Sequence, residues 1–339
     1  DANNQLIQFN RIITTIEAIR NMGTGTVTAT SNWFGSNSNP ASKLFNNGSG
    51  VINCSSWLVL TLTANSTLIK AGGTSIITAD LLHDSQGVCY DPNSGHVPDG
   101  ISVDFETSLG TIDTQSAIVN GIAKSTLNGG SVNGGAAVSS IVDSQISQIS
   151  VNVDTISPTA AVNIPGGLYN TNKTIILSIN EPGTIYYTIN GDIPTTTSRK
   201  YIEPISIMST TILRFMAVDL AGNPSTVYSQ TYTIDKIPPK VISTYPKRYA
   251  TGVSRTRTIY LKFSEKIKKG SYWSKIMVKN KYGHAVSISK SISGNTIYIK
   301  TSKRGSYSYY TVYIPSAAVK DYAGNKLAKG YSFKFKTGR

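Results

Sequence analysis

The sequence predicts an all-β protein of several modules in a row, and three observations lead there. Apolar and polar residues alternate through most of the 339 residues, the period of a strand with one buried face. Clusters of Gly, Asn, Asp and Pro interrupt that alternation at the short, regular intervals of small sandwiches and solenoids. Only 15% of residues are charged, against 39% hydrophobic. That excludes a disordered polyampholyte and a coiled coil, both of which need many more charges. At roughly 100 to 200 residues per domain the length predicts two to four domains, the largest able to hold a real core.

The first segment, residues 1–56, is too short for a domain of its own. It contains Leu6-Ile7-Gln8-Phe9-Asn10-Arg11-Ile12 and Thr24-Gly25-Thr26-Val27-Thr28-Ala29-Thr30, short strands parted by Asn/Gly turns, as in β-solenoid rungs, with room for about two. Asn32-Trp33-Phe34-Gly35-Ser36-Asn37 then sets two large aromatics beside a turn. This element resembles the last rung of the right-handed parallel β-helix of archaeal (methanogen) adhesin-like surface proteins, where an Asn-Trp-Trp-Gly-Ser-Asn run precedes the first immunoglobulin-like module. Phe34 stands where a second Trp is usual, and the alternative is a local aromatic cluster in a loop. The resemblance implies that an upstream β-helix of the same chain precedes this sequence.

Residues 57–155 open with the strand Trp57-Leu58-Val59-Leu60-Thr61-Leu62. They continue through Ala71–Leu81, the turn Asp84-Ser85-Gln86-Gly87, and Val97–Phe105, in which Ile101, Val103 and Phe105 alternate toward a core. The run resembles the immunoglobulin-like modules of invasin and intimin, with an insertion from Val88 to His96. Residues 156–235 begin at the proline joint Asp154-Thr155-Ile156-Ser157-Pro158 and carry Gly183-Thr184-Ile185-Tyr186-Tyr187-Thr188-Ile189-Asn190-Gly191-Asp192. Asn190-Gly191 predicts a two-residue hairpin turn. The stretch resembles the small β-sandwich appended to chitobiases. Residues 236–339 follow a matching joint, Asp235-Lys236-Ile237-Pro238-Pro239, and include Ile259-Tyr260-Leu261-Lys262-Phe263 and Tyr331-Ser332-Phe333-Lys334-Phe335-Lys336. They resemble a bacterial immunoglobulin-like module. The whole then reads as a short β-solenoid end followed by three tandem immunoglobulin-like β-sandwiches.

Charge is divided unevenly among these segments. Residues 1–155 hold five basic and eleven acidic residues, residues 156–235 four and five, and residues 236–339 twenty-three Lys and Arg against only Glu265 and Asp321. Twelve of the 19 Tyr lie in that last segment too. Such a field draws polyanions, of which nucleic acid, anionic lipid headgroups and acidic wall polymer are the classes. No window approaches a membrane span, the longest apolar run being Trp57–Leu62. Sequons at Asn47, Asn53, Asn65 and Asn172 suit an exported, glycosylated chain, although they also arise by chance in Asn/Ser/Thr-rich sequence. Cys54 and Cys89 are either a disulfide, which would clamp the solenoid to the first sandwich, or two unrelated thiols.

No catalytic constellation emerges. The chain has no phosphate-binding glycine loop, no His-Glu-x-x-His and no zinc-spaced cysteine pair, so neither a metal nor another cofactor is expected, and the chain is not expected to be an enzyme. Cys89, Asp91 and His96 crowd one hairpin, where such residues rarely converge. Asp80, Asp84, Asp91 and Asp99 match no calcium loop and read as solvated turn carboxylates. The functional signal is the alternation that puts Tyr260 with Lys262, Tyr298 with Lys300, and Lys334 with Lys336 opposite apolar neighbours. Together with Lys303 and Arg304, these eight residues predict one sheet face of cations and tyrosines, suited to an acidic polysaccharide.

The expected protein is an extracellular, cell-surface stalk whose last module binds anionic wall polymer. In a methanogen wall that polymer would be pseudomurein. The reasoning is that the chain stops right after a core strand, which leaves another tether to be found. Nucleic acid is the runner-up ligand, disfavoured because every recognisable module belongs to secreted chains. Two alternatives stay open: an adhesin tail gripping a partner cell's glycans, and the accessory region of a secreted glycan hydrolase.

Overall fold

The computed structural model describes residues 4–339; Asp1, Ala2 and Asn3, which open the predicted solenoid segment, lie outside the described residues. Among the described residues there are strands and two short 3-10 turns, Pro40–Lys43 and Trp273–Lys275, and no helix is long and apolar enough to cross a membrane. The chain divides into two compact units. The first runs through Thr159 and adds Glu181–Thr184 and Ala217–Ser225; the second holds the remainder through Arg339.

The first unit begins as a parallel coil. Strands Gln5–Leu6, Thr26–Thr28 and Val51–Asn53 stack in parallel, as do Ile19–Asn21 and Leu44–Asn46. Side chains one turn apart meet directly, as when Gln8 Nε2 donates to Thr30 Oγ1, 22 residues on. Buried Asn32 holds the coil: its amide donates to Ile7 O (2.7 Å) and Ala29 O (3.0 Å) and its Oδ1 accepts from Asn10 N (3.0 Å), so no polar atom is buried without return. Trp33 and Phe34 are both fully buried, yet in different cores. Successive side chains of an extended backbone point opposite ways: Phe34 packs among Ile19, Ala29 and Ile52 of the coil, whereas Trp33 enters the core of the adjoining sandwich beside Leu58 and Val142. The aromatic pair is thus a stitch between two cores, not a cluster in a loop.

That sandwich has one sheet in the order Thr111–Ile112, Ile122–Asn128, Thr74–Asp84, Leu58–Ala64. The other runs Gln115–Ala117, Ser102–Thr107, Gly134–Val142, Gln145–Asp154, Leu68–Lys70. The turn expected at Asp84 to Gly87 forms. Gly87 takes φ +84°, a conformation natural to glycine, and Asp84 Oδ1 accepts from Gln86 N and Val88 N (2.9 Å each). The disulfide does not form: both thiols are free. Cys54 packs inward against the coil core, where burial pushes its thiol pKa up, and Cys89 sits exposed. The insertion nevertheless clamps coil to sandwich through Tyr90. Its hydroxyl accepts from Ser31 Oγ (2.9 Å) and donates to Asp84 Oδ2 (2.8 Å), and its ring meets Phe9 edge-on at 5.4 Å.

In the third segment, Gly167–Tyr169, Tyr228–Ile234, Thr211–Asp219, Gly183–Thr188 and Arg199–Lys200 form a five-stranded sheet in that order. Asn190-Gly191 does turn, with Gly191 at φ +88° and Asn190 Oδ1 accepting from Asp192 N. It is not the predicted two-residue hairpin. Tyr186 pairs with Lys200, so the returning strand starts only after a longer loop. The last segment packs Val241–Tyr245, Ile259–Phe263, Thr296–Thr301 and Ile288–Ser293 against Ala285–Val286, Met277–Lys279, Tyr309–Ile314 and Tyr331–Lys336, in those sheet orders. Its core gathers Ile259, Leu261, Phe263, Val312, Phe333 and Phe335.

Candidate functional site

In the last sandwich the alternation behaves as expected on each strand. Ile259, Leu261 and Phe263 are buried while Tyr260 and Lys262 face out; Ile297 and Ile299 are buried while Tyr298 and Lys300 face out. Pairing aligns Tyr245, Tyr260 and Tyr298 in one row across three strands. Tyr245 and Tyr260 stack at 5.6 Å and 20°, Tyr298 follows at 6.3 Å and 51°, and the Arg257 guanidinium lies 4.5 Å over Tyr245. Tyr260 therefore has a ring on either side, which leaves edge and hydroxyl, rather than ring face, for a ligand.

The single face expected from the sequence is two. Lys334 and Lys336 belong to the other sheet, because Tyr331–Lys336 pairs with Tyr309–Ile314. There Lys334 and Lys336 flank the Tyr309 ring at 4.4 and 5.5 Å. Lys279, Thr311 and Lys334 form a cross-strand row, a hydroxyl between two ammonium groups. Lys303 is exposed in the loop after Thr296–Thr301. Arg304 is corrected outright. At 3% exposure it is a core residue, donating to Ser254 O (2.8 Å), Arg257 O (2.7 Å) and Thr301 Oγ1 (2.9 Å) over the Phe335 ring, and its guanidinium is spent on holding two loops. A single-strand alternation reveals which residues share a face. Which sheet the strand joins is set by pairing partners far away in sequence.

The electrostatics of this sandwich are unusual. Among the described residues all four ion pairs lie in the first unit, and no cation of 236–339 has a carboxylate within salt-bridge distance. Aromatic rings serve instead: Lys268 sits 4.0 Å from the Tyr322 centroid, Lys281 4.8 Å from Tyr282, and Lys269 and Lys290 each 5.7 Å from Trp273. Each such contact is worth about 0.5–1 kcal/mol when exposed, and it leaves the charge uncompensated. Two ammonium groups two strands apart, roughly 10 Å, repel by about 0.4 kcal/mol in water before screening. Summed over 23 cations this opposes folding unless external anions gather. Tyr245, Tyr282, Tyr309 and Tyr322 are thus accounted for inside the fold.

The two acidic residues of the segment sit elsewhere. Asp235, Glu265 and Asp321 bring carboxylate oxygens within 4.8 Å of one another, and Asp154, Glu181 and Asp219 do the same in the first unit. The two trios are built alike. Asp154 and Asp235 each accept from the amide two residues on, at 2.9 Å. Asp219 and Asp321 each begin an Asp-x-Ala-Gly-Asn turn whose Asn donates back to the Asp carboxylate, at 2.9 and 2.7 Å. The same Asn amide reaches the carbonyl of Asp154 (3.0 Å) or Asp235 (2.7 Å). Three carboxylates so placed offer the oxygen donors that hard divalent cations take. Asp80, Asp84, Asp91 and Asp99 do not converge in this way: Asp84 is consumed by its turn, Asp91 accepts from Asn93 N and Asp99 from Asn120 N. Nor do Cys89, Asp91 and His96 form a relay, His96 Nδ1 lying at Val97 O and Asp99. The repetition of Asp-x-Ala-Gly-Asn, each preceded by a joint that opens on Asp, is the sequence signal for the trios.

Crowding has a measurable consequence at Glu265. Burial, followed by the charges of Asp321 and Asp235, raises its pKa above the ordinary glutamate value. The folded state then holds a proton that the unfolded chain has already released. This contribution to stability is full below the ordinary value and is lost as pH rises through the raised folded one. Urea midpoints taken between about pH 4 and 7 are expected to fall with pH more steeply in the parent than in Glu265→Gln; equal slopes would remove the assignment.

The sequons Asn47, Asn53, Asn65 and Asn172 are all exposed. Residues 235–337 match the model of the bacterial Ig-like domain, and residues 164–229 that of the chitobiase/beta-hexosaminidase C-terminal domain. No curated protein matches the chain. Among solved structures, the Escherichia coli adhesin FdeC is similar at 12% identity, over 81% of this chain and 96% of that one, with a TM-score of 0.37. Yersinia pseudotuberculosis InvD is similar at 15% identity over 81% and 97%, with 0.34. The C-terminal fragment of intimin, solved with the intimin-binding domain of its translocated receptor, is similar at 17% identity over 56% and 67%, with 0.32. The chain is all-β, with tandem immunoglobulin-like sandwiches.

Proposed function

We propose that this chain is the stalk and anchor of an adhesin-like cell-surface protein, in which the final sandwich binds an anionic cell-wall polymer. In this reading the parallel coil is the end of an archaeal β-helix that continues upstream, the middle sandwiches are spacers, and the polymer is a carboxylate-bearing wall glycan such as pseudomurein. One observation carries it: 23 cations face two acids in residues 236–339, and both acids are engaged in a carboxylate trio instead of pairing with a cation. Charge of that density, unpaired, is neutralised by an external polyanion more economically than by the fold. The binding residues are Tyr260, Lys262, Tyr298 and Lys300 on one sheet and Lys334 and Lys336 on the other, with Lys303 beside them. No cofactor enters, and the chain is not an enzyme in this reading.

Isolated cell walls provide the test. The full chain is expected to sediment with them at about 50 mM salt and to be released near 1 M, where the screening length shrinks to about 3 Å. A protein ending at Asp235 should stay in the supernatant at both. Retention of the shortened chain, or binding indifferent to salt, would end the anchor reading. The chitobiase-type match supports a second reading, the accessory region of a secreted glycan hydrolase. Sequence upstream of Asp1 consisting only of further coil turns would remove it.

A further inference from the structure

We infer that the final sandwich is bivalent and bridges two polyanion strands, one on each outer face; this rests on the anchor reading above. One core separates the faces: Ile259, Leu261 and Ile299 point into it from the first sheet, Val278, Val312 and Phe333 from the second. The exposed sets therefore stand back to back. On the first sheet Lys262 lies across from Ser243, and Lys300 across from Ser289. On the second, Lys279 and Lys334 bracket Thr311. Both faces share one chemistry, ammonium groups set beside hydroxyls one strand away, about 4.8 Å. A chain of acidic sugars presents carboxylates and hydroxyls at a comparable interval. Packed sheets stand about 10 Å apart, so a stiff saccharide strand laid on one face cannot reach the other. Two strands can be held at once.

Bridging is a different observable from binding. The full chain would be mixed with polygalacturonate, a carboxylate polysaccharide, at low salt. Light scattering is expected to rise with added protein and fall again in excess, as each strand becomes saturated by singly attached molecules. K262E/K300E and K279E/K334E, each checked for an unchanged thermal melt, should still bind the polymer, weakened at least about threefold, and neither should raise scattering. The quadruple variant should bind least. Binding by the parent without scattering, or cross-linking by either double variant, would overturn bivalency while leaving the anchor intact. No binding by the parent at all would instead overturn the anchor reading. Much stronger binding of duplex DNA at equal salt would overturn the choice of an acidic polysaccharide.

Discussion

Trp33→Ala is expected to be the most damaging single substitution in the first unit. The indole is fully buried in the sandwich core although its backbone belongs to the coil. Its Nε1 donates to Asp143 Oδ2 at 2.7 Å, and Asp143 also receives Arg11 from the coil. Truncation removes the ring, leaves a cavity in the core that holds Leu58 and Val142, and takes one donor from a nearly buried carboxylate. Large aromatic-to-alanine changes in cores cost about 3–5 kcal/mol, and the hydrogen bond adds about 1 kcal/mol. Urea unfolding followed by circular dichroism would read the loss. Limited proteolysis should show cleavage between residues 4 and 56 before the sandwich opens. Trp33→Phe, keeping bulk and losing only the indole N–H, should recover most of the stability. A loss under about 1 kcal/mol for the alanine variant would mean that the stitch carries no load.

Asp321→Ala is expected to do comparable harm in the second unit. Asp321 is 1% exposed and accepts from Gly324 N (2.6 Å), Asn325 N (2.7 Å) and Asn325 Nδ2 (2.7 Å). Asn325 in turn reaches Asp235 O, so the turn ties the last sandwich to the joint that leads into it. Removing the acceptor strands buried donors at about 1–3 kcal/mol each. Relief of the repulsion with Glu265 and Asp235 offsets part of that. A net loss of about 2–4 kcal/mol is expected, with Glu265 returning toward the ordinary carboxyl range, since one of the two charges that lift it is gone. Asp321→Asn separates the contributions: it drops the charge and retains an acceptor. An alanine variant as stable as the parent would show that the turn is held by its glycine geometry alone.

Much of this was visible in the residues themselves. Ile259-Tyr260-Leu261-Lys262-Phe263 declares its buried and exposed sides by alternation, and the structure keeps both. Asp84 to Gly87 declares a turn because Asp caps it and glycine takes the positive φ. Where the reading went astray, the deciding partner was remote. Arg304 looked like one more surface cation after Lys303; it is buried because carbonyls of Ser254 and Arg257, about fifty residues away in sequence, converge on it. For Cys54 and Cys89 the residues alone leave a bond and two separate thiols equally open, and the structure has the two thiols. Cys54 turns toward the coil core, and Tyr90, next to Cys89, makes the connection instead.

What the amino-acid order determined by itself is therefore local: period-two burial, the turns, the two joints that open on Asp and end on Pro, and the gathering of 23 cations in one terminal segment. Only the tertiary structure decided that Lys262 and Lys300 stand on one sheet and Lys279, Lys334 and Lys336 on the other, that Arg304 is buried, that rings lie beside several of the cations, and that Asp235, Glu265 and Asp321 meet. The physical reason is range. Side-chain alternation and turn conformation are set by neighbours along the chain, whereas strand pairing and electrostatic grouping depend on which distant segments the burial of apolar surface brings side by side.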